Sequence, residues 1–216
     1  MSAAHVRAEN RGLFRSLRHR NFRLYWSGQL ISLVGSWMQS VAQGWLMYRP
    51  AASPFMLGLL GCAQFLPILL LSLWAGVIAD HVDKRRLLLL TQGGMLLQAA
   101  LLAACVQAGI ATPALVLAFA LAFGILNAFD LPGRQSFLVE MVEKEDLSNA
   151  IALNSAAFNT ARVLGPAVAG VLVATIGEAG CFWINAVSFV AALAALARMR
   201  LPARRVAADG WPSAFA

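Results

Sequence analysis

Gly76-Val-Ile-Ala-Asp80-His-Val-Asp83-Lys84-Arg85-Arg86 joins two long apolar runs, one ending at Ala79 and one beginning at Leu87. Three consecutive cations between hydrophobic spans resist translocation, so this loop is expected on the cytoplasmic side of a membrane. The rest of the chain supports a membrane setting. Hydrophobic residues make up 60% of it and charged residues only 12%, where a soluble domain carries about 25% charged residues. Mean hydropathy is +0.69. Such a chain lacks the polar surface to coat itself in water.

Working outward from the loop, six apolar spans are predicted near 22–48, 55–79, 87–110, 113–129, 150–176 and 181–197. About 17–25 residues of helix cross the hydrocarbon, and a spanning backbone must satisfy its own hydrogen bonds, so each span is predicted helical. The 17 Lys and Arg residues test the topology. Six lie in the arm and at the very start of the first span (Arg7, Arg11, Arg15, Arg18, Arg20 and Arg23), three in the 84–86 cluster, Arg134 and Lys144 between the fourth and fifth spans, and four after the sixth. Arg49 alone falls opposite, and Arg162 is embedded. Both termini are therefore expected in the cytoplasm. The expected organisation is a basic cytoplasmic arm over 1–21, a transmembrane bundle over 22–200 and an unstructured cytoplasmic tail over 201–216.

The net charge of +7 raises nucleic-acid binding, but the cations flank apolar spans instead of lining one soluble face, so no nucleic-acid partner is expected. Leu13, Phe14 and Leu17 interleave with arginines in the arm. That pattern fits an amphipathic segment on the lipid surface or a solvated basic tail. Cys62, Cys105 and Cys181 are dispersed, and His5, His19 and His81 lie outside the spans. No metal site, disulfide framework, nucleotide-binding loop or catalytic constellation emerges. The chain is expected to be neither an enzyme nor a cofactor protein. Glu140 and Glu143 share a helical face, expected to be solvated, with Asp146 or Ser148 capping the fifth span.

Polar residues inside apolar spans are costly, so their positions carry information. Gln29, Ser32, Ser36, Gln39 and Gln43 recur at steps of three and four along the first span. They either line a polar cavity or bond across a packed bundle. In the fifth span Ser155, Asn159 and Arg162 share a face, followed by Gly165-Pro166 and Gly170. A charged Arg162 needs a carboxylate, carbonyl dipoles, water or an anionic ligand, with Asp130 the nearest carboxylate by depth and Asn127 a turn away. Substrate contact and structural ion pair both remain open for it. Gly165 and Pro166 favour close packing and a kink.

Three segments together carry a resemblance. Gly76…Asp80…Lys84-Arg85-Arg86 resembles the loop motif of major facilitator superfamily transporters, between their second and third helices. Ala161-Arg162-Val-Leu-Gly165-Pro166-Ala-Val-Ala-Gly170 is similar to the Gly-Pro motif of the proton-coupled exporters. Asp130-Leu-Pro132-Gly-Arg134-Gln135-Ser136-Phe137, with the segment from Asn149 to Ser155, is similar to the branch that includes the enterobactin (siderophore) exporter. His81, Asp83 and Ala161 depart from the usual motifs, which elsewhere have a basic residue, glycine and glycine.

The resemblance implies an all-α membrane protein, a six-helix bundle of 3+3 inverted-repeat type, corresponding to the N-terminal half of that fold. It implies export of a small amphiphilic molecule such as a siderophore or drug across a bacterial inner membrane, by proton-coupled alternating access. Gln29, Ser32, Ser36, Gln39, Gln43, Asn127, Asn159 and Arg162 would line the path, and Asp130 would be the proton-coupling candidate. Gly76, Asp80, Lys84, Arg85 and Arg86 would form a conformational latch. Gly165, Pro166 and Gly170 would form a helix-packing motif. A second six-helix half, from a second copy or from a missing C-terminal half, would complete the cavity. The alternative is a truncated, non-transporting membrane partner or regulatory subunit.

Overall fold

Asp83 ends the basic loop by capping the next helix: its Oδ1 accepts from the Arg86 backbone N–H at 2.7 Å. An N-cap carboxylate satisfies one orphan donor of the new helix, which accounts for aspartate at that position. The computed structural model describes Gly12, residues 14–51 and residues 53–200. The rest of the basic arm and the 201–216 tail lie outside the described residues.

Among the described residues the chain is helical, with no strand. The long helices are α1 (Arg20–Ala51), α2 (Pro54–His81), α3 (Lys84–Gln107), α4 (Pro113–Met141) and α5 (Leu147–Arg198). Four runs are long and apolar enough to cross a membrane: Pro54–His81, Lys84–Gln107, Pro113–Met141 and Lys144–Arg198. At 32 residues α1 matches them in length, but its three Gln and four Ser residues make it less apolar.

The 52 residues of α5 would extend roughly 78 Å if straight, far beyond a hydrocarbon core of about 30 Å. They do not run straight. Gly177 adopts φ 75°, a left-handed conformation that glycine enters without steric cost, and the chain turns back there. Trp26 Nε1 donates to Leu153 O on the first limb of α5 (147–176) at 2.9 Å. Gly28, two residues on, packs against Ala191, Ala192 and Ala195 of the second limb (178–198). At the far end Arg49 Nη1 meets Glu178 Oε1 at 2.8 Å, directly after the turn. Both limbs therefore run alongside α1. Glu178 is invisible as a partner for Arg49 in the sequence because nothing there fixes the depth of either.

Two apolar clusters close the ends of the bundle. Phe22, Tyr25, Leu88, Phe137, Leu153 and Leu196 pack at the end bearing the basic loop. Met38, Met47, Leu60, Leu102, Val116 and Phe182 pack toward Arg49 and Glu178. The outer surface is also apolar. On α2, Leu66, Leu69, Leu70, Leu73 and Trp74 are exposed together, far more contiguous apolar surface than a water-soluble monomer shows. That face requires a lipid or protein covering.

Three expectations are corrected. The fourth span does not stop at 129: α4 continues to Met141 through Pro132. Asp130 and Arg134 stand one turn apart and pair with each other, so two charges that look like a loop are neutralised inside a helix. Glu140, in the last turn of α4, is not simply solvated, because it accepts from Lys84 Nζ at 2.7 Å. Neither does Asp146 cap α5 with its side chain. Its carboxylate instead meets Arg15 and His19, at 2.5 and 2.7 Å.

Those contacts fasten the described part of the arm. Ser16 donates through its backbone N–H to Asn149 Oδ1 and through its hydroxyl to Asp146 O, both at 2.9 Å. The His19 hydrogen bond, aided by the Arg15 charge, holds the Asp146 carboxyl below the usual carboxylate range. A depressed carboxyl stabilises the fold above its unfolded value near ~4, and that contribution is lost as pH falls through the folded value. Amide protection over residues 15–19 should accordingly hold from neutral pH down to about pH 4 and collapse below it. At neutral pH Asp146→Asn should speed tryptic cleavage at Arg15 and Arg18; an unchanged cleavage rate would show that the carboxylate does not hold the arm.

Candidate functional site

Along α1, residues turn about 100° apiece. Gln29, Ser36 and Ser40 fall on one arc, while Ser32, Gln39 and Gln43 fall on a second, roughly 60° around. The structure uses the two arcs differently. Gln39 lies in the bundle interior, its Nε2 donating to Gln98 Oε1 of α3 at 3.0 Å and its Oε1 accepting from Asn185 Nδ2 of α5 at 2.7 Å. Gln43 Oε1 accepts from Gln64 Nε2 of α2 at 3.0 Å. Ser32 is buried, its hydroxyl donating to Gln29 O at 3.1 Å. These three residues bond across or within the packed helices.

The other arc opens on a cavity of about 390 Å³ between α1, α2, α4 and the first limb of α5. Gln29, Ser36 and Ser40 of α1, Gln64 of α2, Asn127, Arg134 and Gln135 of α4, and Asn154, Ser155 and Asn159 of α5 supply its polar wall. Trp37, Phe65, Phe123 and Phe158 supply aromatic surface. From Gln29 to Ser40 the wall spans roughly 16 Å along α1.

Arg134 is the charged centre of that wall. Its Nε pairs with Asp130 Oδ2. Asp130 is fully buried, and its Oδ1 accepts from Thr91 Oγ1 at 2.7 Å and Gln92 Nε2 at 3.3 Å. Turned so that its oxygen faces the guanidinium, the Gln29 amide accepts from Arg134 Nη1, and from Nη2 at 3.1 Å. The carboxylate is thus held behind the arginine and does not line the cavity. Among the described residues no cluster of His, Cys, Asp and Glu could hold a metal ion.

A family model described as transmembrane secretion effector matches residues 12–212. This chain belongs to that family of major facilitator transporters. It is 31% identical to the Staphyloferrin A transporter of Staphylococcus aureus over 172 residues, covering 79% of this chain and 43% of that protein. It is 29% identical to the Multidrug efflux pump Tap of Mycobacterium tuberculosis over 180 residues, covering 80% and 42%. The uncharacterized MFS-type transporter YfiS of Bacillus subtilis is 27% identical over 167 residues, covering 76% and 38%. The chain spans about two fifths of the length of the curated relatives it matches. No solved structure gives a significant match. Family and apolar helices together make this a membrane protein of a transporter family, not of an enzyme family.

Within this family member, four predicted path residues line the cavity: Gln29, Ser36, Asn127 and Asn159. Ser32, Gln39 and Gln43 do not. Arg162 is exposed and lies outside the lining, its guanidinium carbon 5.9 Å from the centroid of the Trp37 ring. It pairs with aromatic surface at this position, whereas Asp130 pairs with Arg134. Sequence reasoning misses Arg134, Ser40, Gln64 and Gln135 as cavity-lining residues. Ser40 has a signal that would find it, since it completes the 29, 36, 40 arc.

The motif residues also separate. Lys84 bonds Glu140, and Arg85 Nη2 donates to Ala197 O at 2.8 Å, both within this bundle. Asp80 and Arg86 are exposed, and open space surrounds Gly76. Gly165 lies against Trp37, Val34 and Met38 of α1, so a Cβ there would collide with the Trp37 side chain, whereas open space faces Gly170.

Proposed function

We propose that this chain forms six transmembrane passes, in the 3+3 arrangement of a major facilitator half, and exports a small amphiphilic molecule by proton-coupled alternating access. The observation that carries the reading is the amide- and hydroxyl-lined cavity inside an apolar bundle. Polar side chains placed in a membrane interior are costly unless they meet water, partners or a ligand. Aromatic walls beside hydrogen-bonding groups suit a ligand with both apolar and polar surfaces. The named activities of the relatives, siderophore transport and drug efflux, agree with that class.

The match to about two fifths of the relatives' length supports a second six-helix half, from a second copy or a missing C-terminal half, closing the cavity. Exposed Asp80, Arg86 and Arg162 are groups such a half would meet. On this reading the chain lies in a bacterial inner membrane with both termini cytoplasmic, the orientation that the Lys and Arg distribution favours.

Efflux from cells or vesicles that carry the protein tests the reading. Extrusion of amphiphilic dyes should depend on the proton gradient and collapse with a protonophore. Absence of flux, with the chain inserted and its partner half supplied, would favour a regulatory subunit instead. Arg162→Ala should lower efflux several-fold at unchanged expression, since an exposed cation–aromatic contact contributes only about 0.5–1 kcal/mol to stability. Unchanged efflux in that variant would show that Arg162 serves neither the substrate nor the second half.

A further inference from the structure

We propose that the last turn of α5, the first turn of α1 and the start of α3 together hold the headgroup of one anionic phospholipid, from the leaflet at the basic end of the bundle. The inference goes beyond the transport reading and does not depend on it. Three segments far apart in sequence converge there. Arg20 Nη2 donates to Arg198 O at 3.4 Å, and Arg85 Nη2 donates to Ala197 O at 2.8 Å. Asn21 fastens the chain just beyond the helix: its Nδ2 donates to Arg200 O at 2.9 Å, and its Oδ1 accepts from the Arg200 backbone N–H at 3.2 Å. Two guanidinia are thereby tied to the carbonyl end of α5, the negative end of its dipole. Arg198 and Arg200, both exposed, add two more on the same short stretch.

Four guanidinia gathered at one helix end call for an anion. Among the described residues the cations paired with carboxylates are Arg15, His19, Arg49, Lys84 and Arg134; the four of this cluster are not among them. The helix end itself supplies only about half a negative charge. Headgroup phosphate is the counter-ion present at that depth. The apolar surface leading to the cluster points to a lipid and not to free phosphate. Along the second limb of α5, Trp183, Val187 and Val190 are exposed at steps of four and three, and Arg198 falls on the same face. From Val187 to Arg198 the helix rises roughly 16 Å, about one leaflet of a ~30 Å hydrocarbon core. Among the described residues none of this limb lines the cavity, so a half that closes the cavity leaves the limb to acyl chains. Tail contact and headgroup contact thus lie on one helix, spaced as they are in a phospholipid.

Native mass spectrometry of the purified full chain in detergent tests the assignment, with palmitoyl-oleoyl phosphatidylglycerol set against phosphatidylcholine bearing the same acyl chains. The first anionic lipid should bind at least about tenfold more tightly than the zwitterionic one, given about a fivefold gain per arginine near a headgroup. Arg198→Gln should weaken phosphatidylglycerol about fivefold, and Arg198→Gln with Arg200→Gln about twentyfold, with phosphatidylcholine unchanged. Only backbone atoms of Arg198 and Arg200 make the bonds described above, so unfolding midpoints without lipid should stay where they are. Arg198→Lys should keep most of the affinity. Lys144→Gln removes an exposed cation from the same end of the bundle but outside the cluster, and should change the affinity less than about twofold. Inorganic phosphate at millimolar concentration, exchanged for chloride at equal ionic strength, should not displace the lipid. Equal affinity for the two lipids, or no loss in the double arginine variant, overturns the proposal by denying a headgroup site. An equal loss in Lys144→Gln and Arg198→Gln overturns it by making the attraction diffuse, and displacement by phosphate overturns it by making the ligand a free anion.

Discussion

Asp130→Leu should destabilise the protein by about 3–5 kcal/mol, because it leaves Arg134 charged and without its carboxylate inside the bundle. Leucine more than fills the space that aspartate leaves, so the loss is electrostatic and not a cavity effect. Gln92 Nε2 loses its acceptor at the same time, and a buried donor without a partner adds to the cost, whereas Thr91 Oγ1 keeps Leu88 O at 3.3 Å. Arg134→Leu alone should be damaging for the mirror reason. The double variant Asp130→Leu with Arg134→Leu should recover most of the stability, since replacing both members of a buried pair by apolar groups is often close to neutral. Unfolding midpoints of the four proteins in one detergent provide the cycle. Additive losses in the double variant would mean that the two side chains act independently, contrary to their direct contact.

The second large effect concerns the Gly-Pro segment. Gly165→Val should cost about 1–3 kcal/mol through overpacking, because a Cβ at 165 meets Trp37 Cβ, with Val34 O at 3.0 Å and Met38 N at 3.1 Å. Gly170→Val, with open space at its position, should stay within about 0.5 kcal/mol. Valine serves at both sites, so helix propensity cancels in the comparison. Ligand binding should also weaken in Gly165→Val, because Trp37 lines the cavity and must move to admit the new methyl groups. Equal losses at 165 and 170 would show that backbone stiffness, and not the approach of α1 to α5, is what these glycines serve.

Sequence reasoning succeeds and stops at identifiable places. Hydrophobic runs and charge clusters locate α1, α2, α3 and the two limbs of α5 to within a few residues, because the lipid requirement leaves few alternatives. They fail at α4. Asp130, Pro132 and Arg134 within five residues look like a loop when each is weighed singly. Paired across one turn, the two charges cancel, and the helix continues to Met141. The same misreading hides Arg134, which passes in the sequence for an orienting loop cation and is the charged group of the cavity.

The polar stripe on α1 is legible as a stripe but not as two arcs. Gln39 and Gln43 look as wet as Gln29 in sequence. Only the positions of Gln64, Gln98 and Asn185 on other helices decide that both ends of the Gln39 amide, and the Gln43 amide oxygen, bond to protein. Arg162 illustrates the same limit. Its charge within an apolar span is legible, whereas its neighbour depends on the rotation of α5 about its axis, which brings it over Trp37 and away from Asp130.

The central claim is that a hydrated wall runs through the interior of an apolar bundle. Thiol labelling tests it most directly, in a background where Cys62, Cys105 and Cys181 are replaced by serine or alanine. Ser36→Cys and Asn159→Cys, both in the cavity lining, should react with a water-borne, membrane-impermeant thiol reagent and be protected by a bound substrate. Leu69→Cys, on the outer apolar face of α2, should stay unreactive within the lipid. Reaction at 69 with silence at 36 and 159 would contradict the account.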